Sequence, residues 1–233
     1  MPDELQEWLP REQVLTFEEM ARVVRVAAGL GVTKVRVTGG EPLTRRNVLH
    51  FFHLLREIPQ LRDIGLSTNG SLLTKEIEHD GRRVPMAVAL RELGVRTVNV
   101  SLDTLDPEQY RAITGRDFLE QTITGLGAAR AAGFESIKLN CVLMRGRNED
   151  QLSRLVQFAG EHGYLLRFIE LMPVSSTDVL TEENFLPLAE ARRIIERTTG
   201  PLTVRPDFKT NGPALYYQLP GSDQLIGLSL IHI

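Results

Sequence analysis

Short runs rich in β-branched residues return along the chain at a spacing of roughly 30 to 40 residues, and this rhythm constrains the fold most. Helical stretches lie between the runs. Thr16 with Glu19 resembles a capping box, Pro107 suits a first helical turn, and Asn148 is predicted to cap a helix that ends at Gly163. The predicted strands are 32–39, 62–70, 95–103, 136–144 and 165–172. Repeated strand–helix units predict an α/β fold with a parallel sheet.

The remaining segments have weaker signals. The polar stretch 73–87 is predicted to be an irregular excursion, and two short strands are expected within 202–206 and 214–219. The apolar stretch 225–233 is interpreted as a tail without a partner. A closed barrel of this type has eight βα units, so five units predict a partial (β/α) barrel.

Composition excludes several classes of protein. The 233 residues carry a net charge of −3, with 42% apolar and 24% charged residues, which argues against disorder and gives no support for nucleic-acid binding. No apolar run reaches the ~18 residues of a membrane span, and the acidic start of the chain lacks the profile of a secretory signal. A single cysteine excludes an internal disulfide framework. These features predict a soluble, cytoplasmic protein without a membrane or nucleic-acid partner.

Polar side chains alternate with apolar ones in the predicted strands. Residues two apart on a strand share a face. On the first strand Lys34, Arg36 and Thr38 therefore share one. The corresponding sets on the other strands are Ser67 and Asn69; Asn99, Ser101 and Asp103; Lys138 and Asn140; and Arg167.

Four of these residues are cations: Lys34, Arg36, Lys138 and Arg167. Active sites of βα barrels lie at the C-terminal ends of the strands, so the four are expected to converge on one cavity. Their mutual repulsion favours a polyanionic partner such as a nucleoside triphosphate. The alternative is that the strands are amphipathic and their polar faces meet water. We favour the cavity, because the helices between the strands require one covered face in any case.

The sequence TGGEP follows the first strand. Gly39 and Gly40 let the backbone approach a ligand closely, Glu41 offers an acceptor for an ammonium group, and Pro42 fixes the turn. A plain strand-to-helix turn also uses glycines, so the motif gains weight only from its position after a strand and beside STNG, VNVSLD and RFIELMPV.

Several stretches together resemble the GTP 3′,8-cyclase family of radical S-adenosylmethionine (SAM) enzymes, which acts in molybdenum-cofactor biosynthesis. The resemblance covers about residues 1–227 and is more specific than GGEP, which radical SAM enzymes share. The stretches that carry it are 15–46, 64–73, 96–116, 137–152 and 167–174.

The resemblance implies a lyase that converts GTP to 3′,8-cyclo-7,8-dihydro-GTP with SAM and two [4Fe–4S] clusters. It implies a partial TIM-like barrel with five of its six βα units present and the first strand missing. By position, the implied SAM contacts are Gly39, Gly40, Glu41, Pro42, Ser101 and Met172. The implied GTP contacts are Arg36, Ser67 and Lys138, supported by Lys34, Asn140 and Arg167. It also implies a homodimer and a downstream cyclic pyranopterin monophosphate synthase.

The family's cluster motifs are absent from this sequence. The first cluster needs CxxxCxxC, followed in the family by the Met-Pro with which this chain begins, and the second needs cysteines after an Ile-Gly like 226–227. Cys141 is expected to be a small buried core residue. The chain is therefore expected to be the inactive central part of such an enzyme, with a truncated core over 1–200 and a truncated extension over 201–233.

Two alternatives stay open. Another radical SAM enzyme, for example a peptide-modifying one, would share the GGEP loop, but a cavity with four cations favours a triphosphate substrate. A non-catalytic nucleotide-binding fragment would keep the cations without the chemistry.

Two acids and the histidines are also candidate functional residues. Asp103 and Glu170 suit acid–base catalysis, although strand-end hydrogen bonding is favoured for both. The scattered histidines, including His50 and His53, predict no metal site.

Overall fold

The computed structural model describes residues 13–171, 182–210 and 212–229. The α-helices in this part of the chain are α1 (Phe17–Gly29), α2 (Val48–Arg56), α3 (Met86–Glu92), α4 (Pro107–Thr114), α5 (Leu119–Ala131), α6 (Leu152–His162) and α7 (Leu188–Thr199). The strands are β1 (Lys34–Val37), β2 (Asp63–Thr68), β3 (Glu76–His79), β4 (Arg82–Pro85), β5 (Val95–Ser101), β6 (Ser136–Val142), β7 (Leu165–Ile169), β8 (Thr203–Val204), β9 (Leu215–Gln218) and β10 (Leu225–Ser229).

Helix ends follow the predicted end signals in three places. The Thr16 hydroxyl accepts a hydrogen bond from the Glu19 N–H at 3.2 Å, and the Glu19 carboxylate accepts one from the Thr16 N–H at 2.8 Å, which completes the capping box of α1. Pro107 occupies the first turn of α4, and α6 ends at Gly163 in the left-handed conformation.

Asn148 does not cap α6, so that prediction is wrong. Its buried carboxamide Oδ1 accepts from the Met144 N–H at 2.9 Å, and its Nδ2 donates to the carbonyl oxygens of Val142 at 2.8 Å and Asp103 at 2.9 Å. The side chain is used instead to satisfy backbone groups where β6 ends.

The chain divides into two compact units. The N-terminal unit comprises the described residues up to 100 together with 120–137. In it β1 pairs in parallel with β2, and β2 pairs in parallel with β5. Fully buried side chains from α2, β2 and α3, including Phe52, Leu66 and Leu90, belong to its core. This unit confirms the predicted alternation of parallel strands and helices.

The C-terminal unit comprises residues 101–119 and the described residues from 138 onward. Here β6, β7 and β10 pair in parallel, in that order, and β9 and β8 continue the sheet with antiparallel pairing. Phe168, Leu139 and Tyr216 are fully buried in this unit. The short strands expected within 202–206 and 214–219 are β8 and β9.

Two predictions about the weaker segments are corrected. The stretch 73–87 is not irregular: β3 and β4 form an antiparallel hairpin, and its turn residues Asp80 and Gly81 have positive φ angles of 49° and 71°. Asp-Gly suits such a turn. The stretch 225–229 does have partners, because β10 is hydrogen-bonded to β7 on one side and to β9 on the other. Residues 230–233 lie outside the described residues.

The α/β class with a mostly parallel sheet is confirmed. Within the described residues, β1 is paired on one side by β2, and β8 is paired on one side by β9. Among the described strands, β1 is therefore an edge strand. The domain boundary at residue 200 stays a prediction. None of the described helices is both long and apolar enough to span a membrane.

Candidate functional site

The TGGEP loop follows β1 and is tied to the end of β2 by Glu41. The Glu41 carboxylate accepts hydrogen bonds from the Asn69 N–H at 2.7 Å, the Thr68 hydroxyl at 2.8 Å and the Leu43 N–H at 3.1 Å. Hydrogen bonds to a carboxylate are stronger than those between neutral groups. Glu41 therefore braces the GGEP loop against the STNG loop, and its role as an acceptor for an ammonium group stays a prediction.

A cavity of about 690 Å³ lies beside this loop within the N-terminal unit. Gly39, Gly40, Glu41 and Pro42 line it together with Arg36, and most of the other lining residues are apolar, including side chains of α1 and β1. Ligand sites commonly have such a volume and a mostly apolar wall. Four of the six predicted SAM contacts thus share one cavity with a predicted GTP contact.

The polar face of the N-terminal unit is built around Arg36. In the strand register Arg36 lies opposite Gly65, and Gly65 lies opposite Thr97. The half-buried guanidinium donates to the Leu66 carbonyl oxygen at 3.1 Å and to the Thr97 hydroxyl at 3.2 Å. Two positions further along, Ser67 lies opposite Asn99, so this pair lies on the same face as Gly65 and Thr97.

The C-terminal unit has a polar row of its own. Asn140, Arg167 and Gly227 lie opposite one another on β6, β7 and β10, and the Arg167 Nε donates to the Asn140 Oδ1 at 3.1 Å. Lys138 lies two residues before Asn140 and is buried. Three predicted GTP contacts therefore share one face of this unit.

The remaining predicted residues are placed as follows. Ser101 is exposed at the end of β5, and Lys34 is exposed at the start of β1. Met172 lies outside the described residues. Lys34 and Arg36 belong to one unit while Lys138 and Arg167 belong to the other, so the convergence of the four cations on one cavity stays a prediction.

Asp103 is the most perturbed acid near the strand ends. Burial raises the pKa of its carboxyl group to about 6, and the hydrogen bond from the Val142 N–H at 2.8 Å opposes this shift. Glu170 accepts a hydrogen bond from the Leu188 N–H at 2.8 Å. Both carboxylates thus make backbone hydrogen bonds at strand ends, which is the favoured interpretation.

Cys141 is fully buried, and its thiol lies 3.6 Å from the Asp103 carbonyl oxygen. Burial, together with the nearby Asp103 carboxylate, raises the pKa of this thiol well above its usual value. The thiolate is the form that ligates metals, so this environment suits a core residue, as predicted.

A small cluster of possible metal ligands lies at the β3–β4 hairpin. The ligand atoms of His79, Asp80 and Glu92 lie within 4.8 Å of one another. However, Arg82 donates to both Glu92 carboxylate oxygens, at 2.9 and 3.0 Å. The Arg82 guanidinium therefore already supplies a positive charge to this cluster.

Sequence reasoning missed Gly65 and Thr97, which contact Arg36 in the structure. Alternation along β5 would have placed Thr97 on the face of Asn99 and Ser101. Gly65 gives no such signal, because a glycine has no side chain to assign to a face. Thr68 was also missed, although its hydroxyl joins the GGEP loop to the STNG loop.

Comparison with known families identifies the chain. The sequence profile of the radical SAM superfamily matches residues 4–159. The chain belongs to the radical SAM superfamily. Three curated relatives are GTP 3′,8-cyclases: one from Ectopseudomonas mendocina is 41% identical over all of this chain, one from Marinobacter nauticus 40% over 97%, and one from Thermodesulfovibrio yellowstonii 36% over 97%. The chain spans 66%, 64% and 67% of their respective lengths.

Solved structures of radical SAM proteins have the same fold. The crystal structure of Streptococcus suis SuiB bound to SAM matches with a TM-score of 0.60 and 20% identity, over 80% of this chain and 39% of that one. The coproporphyrinogen III oxidase of Escherichia coli matches with a TM-score of 0.55 and 17% identity, over 78% of this chain and 44% of that one. These matches confirm the partial TIM-like barrel of the radical SAM type.

Superfamily membership implies SAM and a [4Fe–4S] cluster, and the chain fits the two differently. The GGEP loop and its cavity suit SAM, since they combine close-approach glycines with an apolar wall. A [4Fe–4S] cluster needs several cysteine thiolates, whereas this sequence contains one cysteine, which is buried. The residues of this chain therefore do not provide a cluster site.

Proposed function

We propose that this chain forms the GTP- and SAM-binding part of a GTP 3′,8-cyclase, the lyase that begins molybdenum-cofactor biosynthesis. The observation that carries the proposal is the identity of 36–41% with cyclases over at least 97% of the chain. The chain's own contribution is binding and orientation, and no reaction step is assigned to its residues.

The proposed GTP site uses cations for the triphosphate. Arg36 and Lys138 are the principal contacts, and Lys34 and Arg167 support them. A guanidinium matches phosphate geometry with paired N–H donors, while an ammonium acts as a point charge. The Ser67 hydroxyl and the Asn140 amide add neutral hydrogen bonds to the same ligand.

The proposed SAM site is the cavity beside the GGEP loop. Gly39, Gly40 and Pro42 shape the loop backbone against the methionyl group. Ser101 and Met172 are assigned as further SAM contacts by resemblance to the cyclases alone. The Glu41 carboxylate holds the loop in place through its bonds to Thr68 and Asn69.

Calorimetric titration of this chain with GTP and ATP tests the proposal. Phosphate recognition predicts similar affinities for both nucleotides and a steep loss between about 50 and 500 mM salt, because salt screens the charges. Arg36→Ala should weaken GTP binding about 10- to 100-fold, the usual cost of losing a hydrogen bond to a charged group. Arg25→Ala, which removes an exposed cation of α1, is the matched control and should leave affinity unchanged.

Other outcomes have clear meanings. SAM binding without any nucleotide binding would favour another radical SAM enzyme, such as a peptide-modifying one. An affinity for GTP that does not change with salt concentration would show that the site is misplaced. The same conclusion would follow if Arg25→Ala weakened GTP binding as much as Arg36→Ala does.

We also propose that the protein acts in the cytoplasm as a homodimer and passes its product to a cyclic pyranopterin monophosphate synthase. Resemblance to the cyclases supports this assignment. Sedimentation of the purified protein should give twice the chain mass, and a monomer at micromolar concentration would contradict the dimer.

A further inference from the structure

Arg36 does not extend from its strand as an isolated cation. Its side chain crosses Gly65 on β2 and reaches Thr97 on β5, so three strands contribute to its position. The guanidinium Nη1 donates to the Leu66 carbonyl oxygen at 3.1 Å, and Nη2 donates to the Thr97 hydroxyl at 3.2 Å. Two hydrogen bonds from different nitrogens fix the plane of the group as well as its location.

Gly65 provides the space for this arrangement. A Cβ atom added at Gly65 would lie 2.8 Å from the Arg36 Nη2, 2.9 Å from its Cζ and 2.8 Å from the Thr97 Oγ1. Any other residue would therefore push the guanidinium away from Thr97. The glycine and the threonine act together, one as the surface under the cation and the other as its acceptor.

We propose that Gly65 and Thr97 are positioning residues that hold Arg36 ready for the anionic part of the nucleotide, an inference that rests on the proposed function. A flexible arginine must lose its rotamer freedom when it binds an anion, and prior ordering reduces that loss. Neither residue is assigned a contact with the ligand. Their effect on binding passes through Arg36.

The first test is a set of Thr97 variants titrated with GTP by calorimetry at low salt. Thr97→Val removes the acceptor but keeps the β-branched shape, so the midpoint of thermal unfolding should fall only slightly while GTP affinity falls about 3- to 10-fold. Thr97→Ser restores the hydroxyl and should return affinity to within about twofold of the wild type. Gly65→Ala should weaken binding at least as much as Thr97→Val.

A double-mutant cycle shows whether the effect passes through Arg36. In an Arg36→Ala background, Thr97→Val should have no further effect on GTP affinity. An equal loss in both backgrounds would overturn the inference, and so would full affinity in Thr97→Val. Inorganic triphosphate serves as a second probe, and the same pattern is expected because the contact is with phosphate.

Nuclear magnetic resonance separates this inference from the proposed function. In the ligand-free wild type the Arg36 guanidinium should rotate slowly and give resolved N–H signals, which Thr97→Val should broaden. If the wild type keeps these signals but does not bind GTP, the proposed function fails and the positioning of Arg36 stands. If Thr97→Val leaves the signals unchanged, the positioning inference fails regardless of nucleotide binding.

Discussion

Arg36 in the N-terminal unit and Arg167 in the C-terminal unit each lie beside a glycine of a neighbouring strand, but the two glycines make room for different atoms. A Cβ at Gly65 would meet the charged end of Arg36 at 2.8 Å. A Cβ at Gly227 would meet the Tyr216 ring at 2.9 Å and the Arg167 Cγ at 3.3 Å.

The two glycines are therefore expected to affect different properties: one ligand binding, the other stability. The end of an arginine can move at modest cost, whereas Tyr216 is fully buried and its ring cannot retreat without disturbing the core. Gly65 is therefore expected to matter mainly for the orientation of a cation. Gly227 is expected to matter mainly for folding of its unit, although both adjoin residues of the proposed GTP site.

The largest loss of stability is expected at a glycine where an added Cβ atom would meet a backbone atom. A Cβ at Gly125 in α5 would collide with the Gly70 carbonyl oxygen of the STNG loop. Gly125→Ala should lower the free energy of unfolding by about 3 kcal/mol, because neither backbone can give way. Gly127→Ala is the matched control: that position is exposed and has open space, so alanine should stabilise the helix by about 0.5–1 kcal/mol. Urea denaturation measures both, and equal midpoints would contradict the predicted contact.

The direct test of the comparison is Gly227→Ala against Gly65→Ala. Overpacking against the Tyr216 ring should cost about 2 kcal/mol of unfolding free energy, while displacement of the Arg36 guanidinium should cost less than about 1 kcal/mol. Nucleotide affinity should follow the opposite order. Urea denaturation and calorimetry of the same two variants provide both readings. If Gly65→Ala proved the more destabilising change, the distinction between the two glycines would be wrong.

The sequence alone predicted the regular part of the fold well. The spacing of the β-branched runs located β1, β2, β5, β6 and β7, since each run is a local signal. It failed for β10, because a short apolar run does not say which distant strands it pairs with. The β3–β4 hairpin was missed for another reason: its strands are polar, although Asp80-Gly81 is a typical turn sequence.

Prediction of the site was also limited to patterns within one strand. Alternation grouped Asn140 with Lys138 on one face of β6, because that pattern is a property of one strand. The contact between Arg36 and Thr97 joins residues 61 positions apart and depends on the register of three strands. Register between parallel strands is set by long-range packing, so this contact had no local signal.

A pH-dependent comparison concerns Asp103 in the C-terminal unit. Its pKa is raised from 3.8 to about 6 by burial, so the folded state holds the proton more tightly than the unfolded state. This stabilises the fold below about pH 4, and the contribution disappears as pH rises through 6. Asp103→Asn stays neutral and can still accept from Val142. The free energy of unfolding of Asp103→Asn, relative to that of the wild type, should therefore rise by on the order of 2 kcal/mol as the pH is raised from 4 to 7.

Urea midpoints of the two proteins across this range measure the Asp103 effect, since the other titrating groups cancel in the difference. A difference that does not change with pH would mean that the acid is not perturbed in the folded chain. Asp103→Ala is a useful second variant, because it removes the titration together with the hydrogen bond to Val142 and should be less stable than Asp103→Asn at every pH.

The smallest expected effect on stability compares two asparagines, one on the polar face of each unit. The Asn140 Oδ1 accepts from Arg167, whereas the buried Asn99 Oδ1 has no hydrogen-bond partner within the described residues. A buried acceptor without a donor costs free energy, so Asn99→Leu, which has a similar size, should stabilise the chain by about 1 kcal/mol. Asn140→Leu should instead destabilise it by about 1 kcal/mol, because the Arg167 Nε would lose its acceptor. Opposite shifts of the urea midpoint would sharpen the contrast between the two units, and destabilisation by both variants would show that Asn99 finds a donor in solution.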